Sequence, residues 1–527
     1  MKPCRELWLP CLILLLPGLL FILCMPPMPI DETRYLAVAW EMHLNNSYIV
    51  PHLNGLPYSH KPPLLFWLIN LDWWLFGVNE RTLRAIPLLF SLLNILLIYR
   101  IGLQLWRDSR TARYAAIITA SCLLYLIWSS LIMFDIVLTF WVLLGIYGLL
   151  KAGQAKNMKP WLLVGLGLGG GLLTKGPVIL VHVLPVALLG FLWLPRSVQI
   201  KRWYGGLLLA LGIGLGLVSL WLIPAVMTGG EGYRQDILWG QTVNRVVSSF
   251  AHRHPWWWYL PLVPVLLLPW ILLRPVWSGF AMVRKDPGRC FPTVWALSSL
   301  AVLSLISGKQ IYYLVPLIPA FSLLLARNIT TFPADTSSSR WYYPPATLYI
   351  LLGILVYLLR YLPLEGSSAD ILLFRTGLLA LGLITTGLVF LVLRNREIEP
   401  LVTWTGLSSA ALICLLLVSG DRFFQRYDIR DVARILKARE EQGYTLINKG
   451  KYYGQFQFTG RLTRPVLVAH RINDLRNYVE NHEKSLLITY EPVDRAINQD
   501  EIFFQQLYRG KKLVLWNEQG MKKYLSR

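Results

Sequence analysis

Charge is what this chain has least of. Only 15% of its 527 residues are charged, while 55% are hydrophobic and the mean hydropathy is +0.48. Soluble proteins carry about 25% charged residues. That deficit excludes an ordinary soluble domain and makes a bilayer the expected solvent. Acidic residues are scarcer still, 29 against 51 Lys and Arg, leaving a formal charge of +22. Such an excess raises nucleic acid as a partner. Yet no GxxxxGK[ST] loop, GxGxxG fingerprint or metal-finger spacing occurs. Most of the basic residues lie in short loops between apolar runs or in the tail. That distribution fits anionic membrane lipid, and nucleic acid is rejected. The cysteines are Cys4, Cys11, Cys24, Cys122, Cys290 and Cys414, with no CxxC pair and none in the tail. They support neither a disulfide framework nor a zinc site. No small-residue cleavage pattern comes after the first apolar run, Trp8 to Cys24. With Lys2 and Arg5 ahead of it, that run reads as an uncleaved signal anchor.

Long apolar runs are what the chain has in abundance. They fall near 8–24, 83–106, 112–130, 133–150, 161–174, 177–194, 204–227, 257–274, 291–306, 312–326, 341–362, 371–393 and 401–419. A span needs about 20 apolar residues, so these runs predict a mainly α, polytopic fold of about 13 helices. The run from Pro62 to Gly77 is interrupted by Asn70 and Asp72 and predicts an interfacial or re-entrant helix.

With the amino terminus inside, every inner loop is basic. These loops carry Arg107, Arg110 and Arg113; Lys151, Lys156 and Lys159; Arg196, Lys201 and Arg202; Arg284, Lys285 and Arg289; Arg327 and Arg340; and Arg394 and Arg396. The positive-inside rule demands this pattern, and an error of one helix would break it. The odd number of spans then places residues 421–527 outside. There the chain turns polar, with β-rich runs such as Thr445-Leu446-Ile447 and 20 Lys and Arg against 13 Asp and Glu. Two domains are expected: a transmembrane domain over 1–420, with outer loops near 25–82 and 228–256, and a small α/β domain over 421–527.

The threading brings the polar outliers to one face. The first outer loop holds Asp31, Glu32, Arg34, Tyr35, Glu41, His52, Tyr58, His60 and Lys61. Asp135, Lys175, Lys309, Tyr312 and Tyr313 lie at outer helix ends, and the loop near 228–256 adds Arg234, Arg245, His252, Arg253 and His254. Charges at membrane depth are costly and mark function. Asp31 and Glu32 open a stretch with Tyr35, Val38, Ala39 and Met42 on one helical face, which predicts an interfacial helix. A helix cap is the plainer role for Asp31. Snorkelling is the plainer one for Lys61 and Lys309. Several cations around acidic groups instead suit an anionic ligand such as a phosphate. The histidines match no compact metal spacing. Trp256-Trp257-Trp258-Tyr259 reads as an aromatic belt.

The segments PIDETRYLAVAWEM, IVPHLNGLPYSHKPPLLFWL, FDIVLTFW, TKGP, HRHPWWWYLP and SGKQIYYLVPLIPA occur in this order. In them the chain resembles the GT-C membrane glycosyltransferases. Within that type it is similar to the bacterial 4-amino-4-deoxy-L-arabinose transferases of lipid A, relatives of the protein O-mannosyltransferases. The resemblance covers the first three hundred or so residues. It implies that Asp31 is the principal catalytic carboxylate and Asp135 the second functional aspartate. It also implies that Lys61, Arg253 and Tyr313 hold the donor's lipid-linked phosphate. Glu32, Arg34, Tyr35, Tyr58, Lys175 and Lys309 are candidate supporting residues. His60 stands where the family often has an acidic residue implicated in metal binding, so a divalent metal, with His60 as the candidate ligand, stays open.

The implied activity is inverting transfer of a sugar from undecaprenyl phosphate to an envelope acceptor on the periplasmic face of the inner membrane. The leading pair is 4-amino-4-deoxy-L-arabinose and lipid A. Another polyprenyl-linked sugar moved to a glycan or protein is the variant within the class. A lipid or sugar transporter is the rival from another class. A transporter would favour paired repeats and midplane charges; here the charges gather at one face and no repeat is visible.

Overall fold

The computed structural model describes residues 3–240, 253–278, 286–332, 338–362, 374–394, 397–482 and 484–526. Arg245, His252, Arg284, Lys285 and Arg396 lie outside the described residues. Among those described, eight helices are long and apolar enough to cross a bilayer. Shorter apolar helices occur at Leu64–Phe76, Val178–Leu188 and Thr376–Val392. The chain is a multi-pass membrane protein.

In chain order, the α-helices up to Lys175 are α1 (Pro3–Cys24), α2 (Asp31–Leu44), α3 (Leu64–Phe76), α4 (Ala85–Trp106), α5 (Ser109–Ser121), α6 (Leu123–Trp128), α7 (Phe134–Ala152) and α8 (Pro160–Lys175). Three of the expected spans are broken, the run near 177–194 dividing at Leu189 into Val178–Leu188 and Gly190–Trp193. The run near 112–130 bends at Cys122, whose backbone is extended (ψ 123°), and so divides into α5 and α6. The run near 257–274 is a chain of one-turn helices, Trp256–Tyr259, Leu262–Leu266, Trp270–Leu272 and Arg274–Ser278. Pro261, Pro264, Pro269 and Pro275 punctuate it. Each proline removes a backbone donor and disfavours helix in the residue before it.

Glycine sets the closest packing. Helix α8 reads Trp161-Leu-Leu-Val-Gly-Leu-Gly-Leu-Gly-Gly-Gly, and its small residues let neighbouring backbones approach. A Cβ on Gly170 would lie 2.3 Å from the Trp141 ring of α7. On another side, a Cβ on Gly169 would lie 2.7 Å from Leu217 of the helix Ile200–Thr228. The antiparallel α7–α8 pair is therefore drawn tight. The first residues of α7 and the last of α8 meet at one end of the bundle.

The tail forms a five-stranded sheet with β3 (Thr445–Lys449), β4 (Leu467–Ala469), β5 (Ser485–Glu491), β6 (Ile502–Tyr508) and β7 (Lys511–Trp516), in the order β4-β3-β5-β7-β6. The first three strands run parallel, and β7 is antiparallel to both β5 and β6. Alternate residues face opposite layers. Leu446, Leu486 and Ile488 pack with Val432 and Leu436 of the helix Arg430–Glu441. Ile447 and Leu487 pack with Leu475 and Met521 from the other two tail helices, Ile472–Glu480 and Glu518–Leu525.

This tail is seated on the loop between α1 and α4. The loop carries a hairpin, β1 (His52–Leu53) and β2 (Leu56–Pro57), whose turn residues Asn54 and Gly55 have φ of 56° and 79°. Both central residues of a tight hairpin turn need positive φ, which explains Asn-Gly here. The Glu41 carboxylate of α2 accepts the backbone N–H groups of Asn54 and Gly55 and fixes the turn. Burial pushes the Glu41 carboxyl above its ordinary range. Asn54 then pairs with the backbone of Val466 through both ends of its amide, each at 2.8 Å. The indole of Trp40 donates to the Leu462 carbonyl (2.9 Å), and Trp73 stacks on Phe458. Helix α2 exists as expected, and one of its faces lies under the tail. Only a few of its residues escape burial.

Candidate active site

The site is built from the ends of α2, α7 and α8 together with the segment 306–313. Asp135 opens α7 and Lys175 closes α8, and their side chains pair at 2.5 Å with 1% and 5% exposure. The close α7–α8 packing is what brings them together. The Lys175 ammonium also lies 4.5 Å and 4.8 Å from the ring centres of Tyr312 and Tyr313. Cations over aromatic faces are favoured, more so when desolvated. The second oxygen of Asp135, Oδ2, is buried without a hydrogen-bond partner among the described residues. A buried carboxylate oxygen left open is costly unless a ligand or water meets it.

Asp31, at the start of α2, pairs with Arg34 one turn on. The charges of Asp31 and Lys61 both reach Asp135, and those of Asp31 and Arg34 reach Tyr312. Tyr35 packs edge-on to Phe134 at 4.8 Å, and the Arg34 guanidinium lies 5.5 Å from the Tyr35 ring centre. Burial, followed by the charge of Asp31, raises the Tyr35 phenol well above its usual range, so it stays a neutral hydroxyl. Tyr58 completes the aromatic wall beside His60 and Phe66, at 5.1 Å and 6.2 Å between ring centres. Asp31, Arg34, Tyr35, Tyr58, Lys61, Asp135, Lys175, Tyr312 and Tyr313 thus converge at one end of the bundle. Arg253 reaches the rim, where its backbone bridges to Gly308.

Two candidates turn out to be held in structural networks. Glu32 is 2% exposed and accepts both terminal nitrogens of Arg84, at 3.0 Å and 3.1 Å. It also accepts the backbone N–H groups of Met28 (2.8 Å) and Ile132 (2.7 Å). Arg84 in turn donates to the carbonyls of Pro26 and Ser130. This hub fastens the strand of chain before Asp31 to the segment before Asp135, so it sets the spacing of the two aspartates. Lys309 is also buried, and its ammonium caps the carbonyls of Ile306 (2.5 Å) and His254 (3.1 Å). It ties the Arg253–His254 segment to the bundle. Arg84 escaped sequence reasoning because its acidic partner lies 52 residues away; its one signal was an arginine directly before an apolar run.

His60 lies against Tyr58, and among the described residues no group of three His, Cys, Asp or Glu could hold a metal ion. The described residues offer no such donor set, and no step is assigned to a metal. Two cavities flank the segment Pro29–Ile30. One, of about 360 Å³, is apolar and bounded by Met25, Met28, Asp31, Leu417 and Phe424 among others. The other, of about 600 Å³, opens toward the tail.

A helical membrane bundle thus gathers acidic and cationic groups at one end, where a small mixed-sheet domain is seated. The fold is shared with ArnT, and part of the sequence is similar to arabinosyl transferases. The fold matches ArnT from Cupriavidus metallidurans bound to undecaprenyl phosphate with a TM-score of 0.77, over 99% of both chains at 16% identity. Residues 60–223 match the family described as dolichyl-phosphate-mannose-protein mannosyltransferase. The undecaprenyl phosphate-alpha-4-amino-4-deoxy-L-arabinose arabinosyl transferase of Pseudomonas paraeruginosa is 34% identical over 314 residues, covering 57% of this chain and 55% of that protein. Its counterpart in Erwinia tasmaniensis is 30% identical, over 56% of this chain and 54% of that protein. The chain thus aligns with little more than half the length of the curated relatives it matches.

Proposed function

We propose that this protein is an inverting glycosyltransferase of the bacterial inner membrane. It moves a sugar from undecaprenyl phosphate to an envelope acceptor on the periplasmic face. The leading sugar is 4-amino-4-deoxy-L-arabinose and the leading acceptor is lipid A, in keeping with the relatives' names. The observation that carries this reading is the buried Asp135–Lys175 pair beside Tyr312 and Tyr313, within reach of the charge of Asp31.

In this reading Lys61, Arg253 and Tyr313 bind the donor phosphate. Their positive charge and hydroxyl stabilise the charge that grows on the phosphate as it leaves. An acceptor oxygen attacks the anomeric carbon from the face opposite the leaving group. The glycosidic C–O bond to phosphate breaks, its electron pair stays with polyprenyl phosphate, and configuration inverts. Asp31 takes the proton of a hydroxyl acceptor. A phosphate acceptor needs little deprotonation, and Asp31 then orients it and faces the positive character at the anomeric carbon. Asp135, fixed by Lys175, keeps one oxygen available to the sugar.

The test is purified protein incubated with undecaprenyl-phosphate-linked aminoarabinose and candidate acceptors, with products read by mass spectrometry. Release of polyprenyl phosphate together with an acceptor one sugar heavier is expected, with lipid A the best acceptor. Movement of intact donor across a vesicle membrane without acceptor gain would overturn the enzyme reading.

A further inference from the structure

The larger cavity lies outside the catalytic machinery. Its inner wall is Pro29 and Ile30, and the rest is supplied by the tail. Lys449, Lys451, Arg509 and Lys511 surround it, with Tyr490 and Tyr508 on its wall. The nearest acid on that wall, Glu491, is already paired with Arg495. Lys449 donates to the Tyr524 hydroxyl at 2.7 Å, whereas Lys451, Arg509 and Lys511 are exposed and have no carboxylate partner among the described residues. Tyr490 accepts a hydrogen bond from Gln455 at 2.7 Å, which leaves its own proton to offer. Burial pushes the Tyr508 phenol up to about 12, so it too remains a donor. Cations and hydroxyl donors facing a cavity with no free carboxylate are suited to an anion that also carries hydroxyls.

The position of this cavity says which anion. Pro29 and Ile30 are shared with the apolar cavity, which contains Asp31 on its own wall. One wall therefore separates an apolar chamber in the bundle from a cationic chamber in the tail, with Asp31 beside it. An amphipathic molecule with acyl chains and a charged saccharide head fits both chambers at once. A polyprenyl phosphate has no extended saccharide to fill the second.

We propose that the cationic cavity of the tail binds the phosphorylated or carboxylated saccharide head of the acceptor lipid, making the tail the acceptor-recognition domain. This rests on the glycosyl-transfer reading, and it assigns to that site a second, saccharide-binding half. Bilayer phospholipid heads share the anionic chemistry but lack the sugar.

Direct binding tests it. The full chain is placed in nanodiscs of zwitterionic lipid and titrated with a soluble phosphorylated glucosamine disaccharide, its unphosphorylated counterpart, and undecaprenyl phosphate. The phosphorylated disaccharide should bind at least about 10-fold more tightly than the neutral one, a difference of about 1.4 kcal/mol. K451A/R509A/K511A should remove that preference, raise the acceptor KM by a similar factor, and leave undecaprenyl phosphate binding intact. K451R/R509K/K511R, which keeps the charges, should restore most of the preference. Equal binding of the two disaccharides, or an unchanged preference in the triple alanine variant, would overturn the proposal. So would loss of disaccharide binding in discs of anionic phospholipid at constant ionic strength, which would assign the cavity to bilayer heads. Transfer with an unchanged acceptor KM in the variant sinks this inference alone. Charge-dependent disaccharide binding by a protein that transfers no sugar sinks the enzyme reading and leaves the cavity.

Discussion

The two ends of the helix bundle use charge in opposite ways. At the end holding the amino terminus, acids and bases close on one another. Asp286 accepts from Arg327 (2.7 Å), from the Trp106 indole (3.3 Å) and from the Gly288 backbone (3.0 Å). Arg113 joins Glu399 to Glu6 across three helices, and Asp108 caps α5 by accepting from Arg110 and Thr111. These groups stitch helix ends together. At the other end the Glu32–Arg84 hub is closed in the same way, but it encloses neighbours that are not. Asp135 keeps an oxygen without a partner, and Asp31 stands on the wall of a cavity. The contrast teaches that ion pairs by themselves do not mark a site. A carboxylate held in place with acceptor capacity to spare does.

That comparison can be broken by mutation, most severely at the hub. Arg84→Ala should cost about 3–5 kcal/mol, because it strands the buried Glu32 carboxylate. Loss of folded protein, or a large fall in Tm in detergent, checks this. The double variant E32M/R84M should recover only part of the loss, since the N–H groups of Met28 and Ile132 lose their acceptor. Equal stability of the double variant and the parent would refute the hub's role. Next in size is the seat of the tail. Asn54→Ala removes three hydrogen bonds to the tail, to Val466 twice and Gln457 once. A loss of about 1–3 kcal/mol is expected, read as easier proteolysis of the tail.

The smallest effect belongs to the opposite end. Asp286→Asn should cost about 1 kcal/mol or less, the scale of partly exposed ion pairs, and leave transfer intact. Burial works against the Asp286 carboxylate, but the hydrogen bond and charge of Arg327 outweigh it and hold its pKa below the ordinary range. The folded pKa is the lower one, so this contribution is present above the unfolded value of about 4. It is lost as the pH falls through the folded pKa. The stability gap between parent and variant should close below about pH 4. A gap that widened on acidification would contradict the assigned direction.

Much of this was legible in the sequence, for physical reasons that can be named. Asp31, Asp135 and Lys175 stood out because a charge inside apolar sequence is expensive, and the alternation of basic loops fixed which of them share a face. The tail's strands announced themselves by runs such as Ser485-Leu-Leu-Ile-Thr-Tyr490. What stayed hidden depends on partners far apart in the chain. Arg84 drew no notice in the sequence because Glu32, its partner, lies 52 residues away. The two carbonyls that the Lys309 ammonium meets, those of His254 and Ile306, were likewise invisible in the sequence. The seat of the tail rests on Asn54 and Val466, 412 residues apart. The broken run near 257–274 is a different case: its four prolines were in view, and hydropathy outweighed them.

The proposed division of labour gives sugar transfer to the end of the bundle bearing Asp31 and only support of the fold to the opposite end. It is tested most directly by measuring release of undecaprenyl phosphate from lipid-linked aminoarabinose, with lipid A as acceptor, by purified D31N and D286N side by side. D31N should fold normally and lose transfer by about 10²–10⁴-fold, while D286N should keep the parent rate. A folded D31N protein that transfers sugar at the parent rate would contradict it.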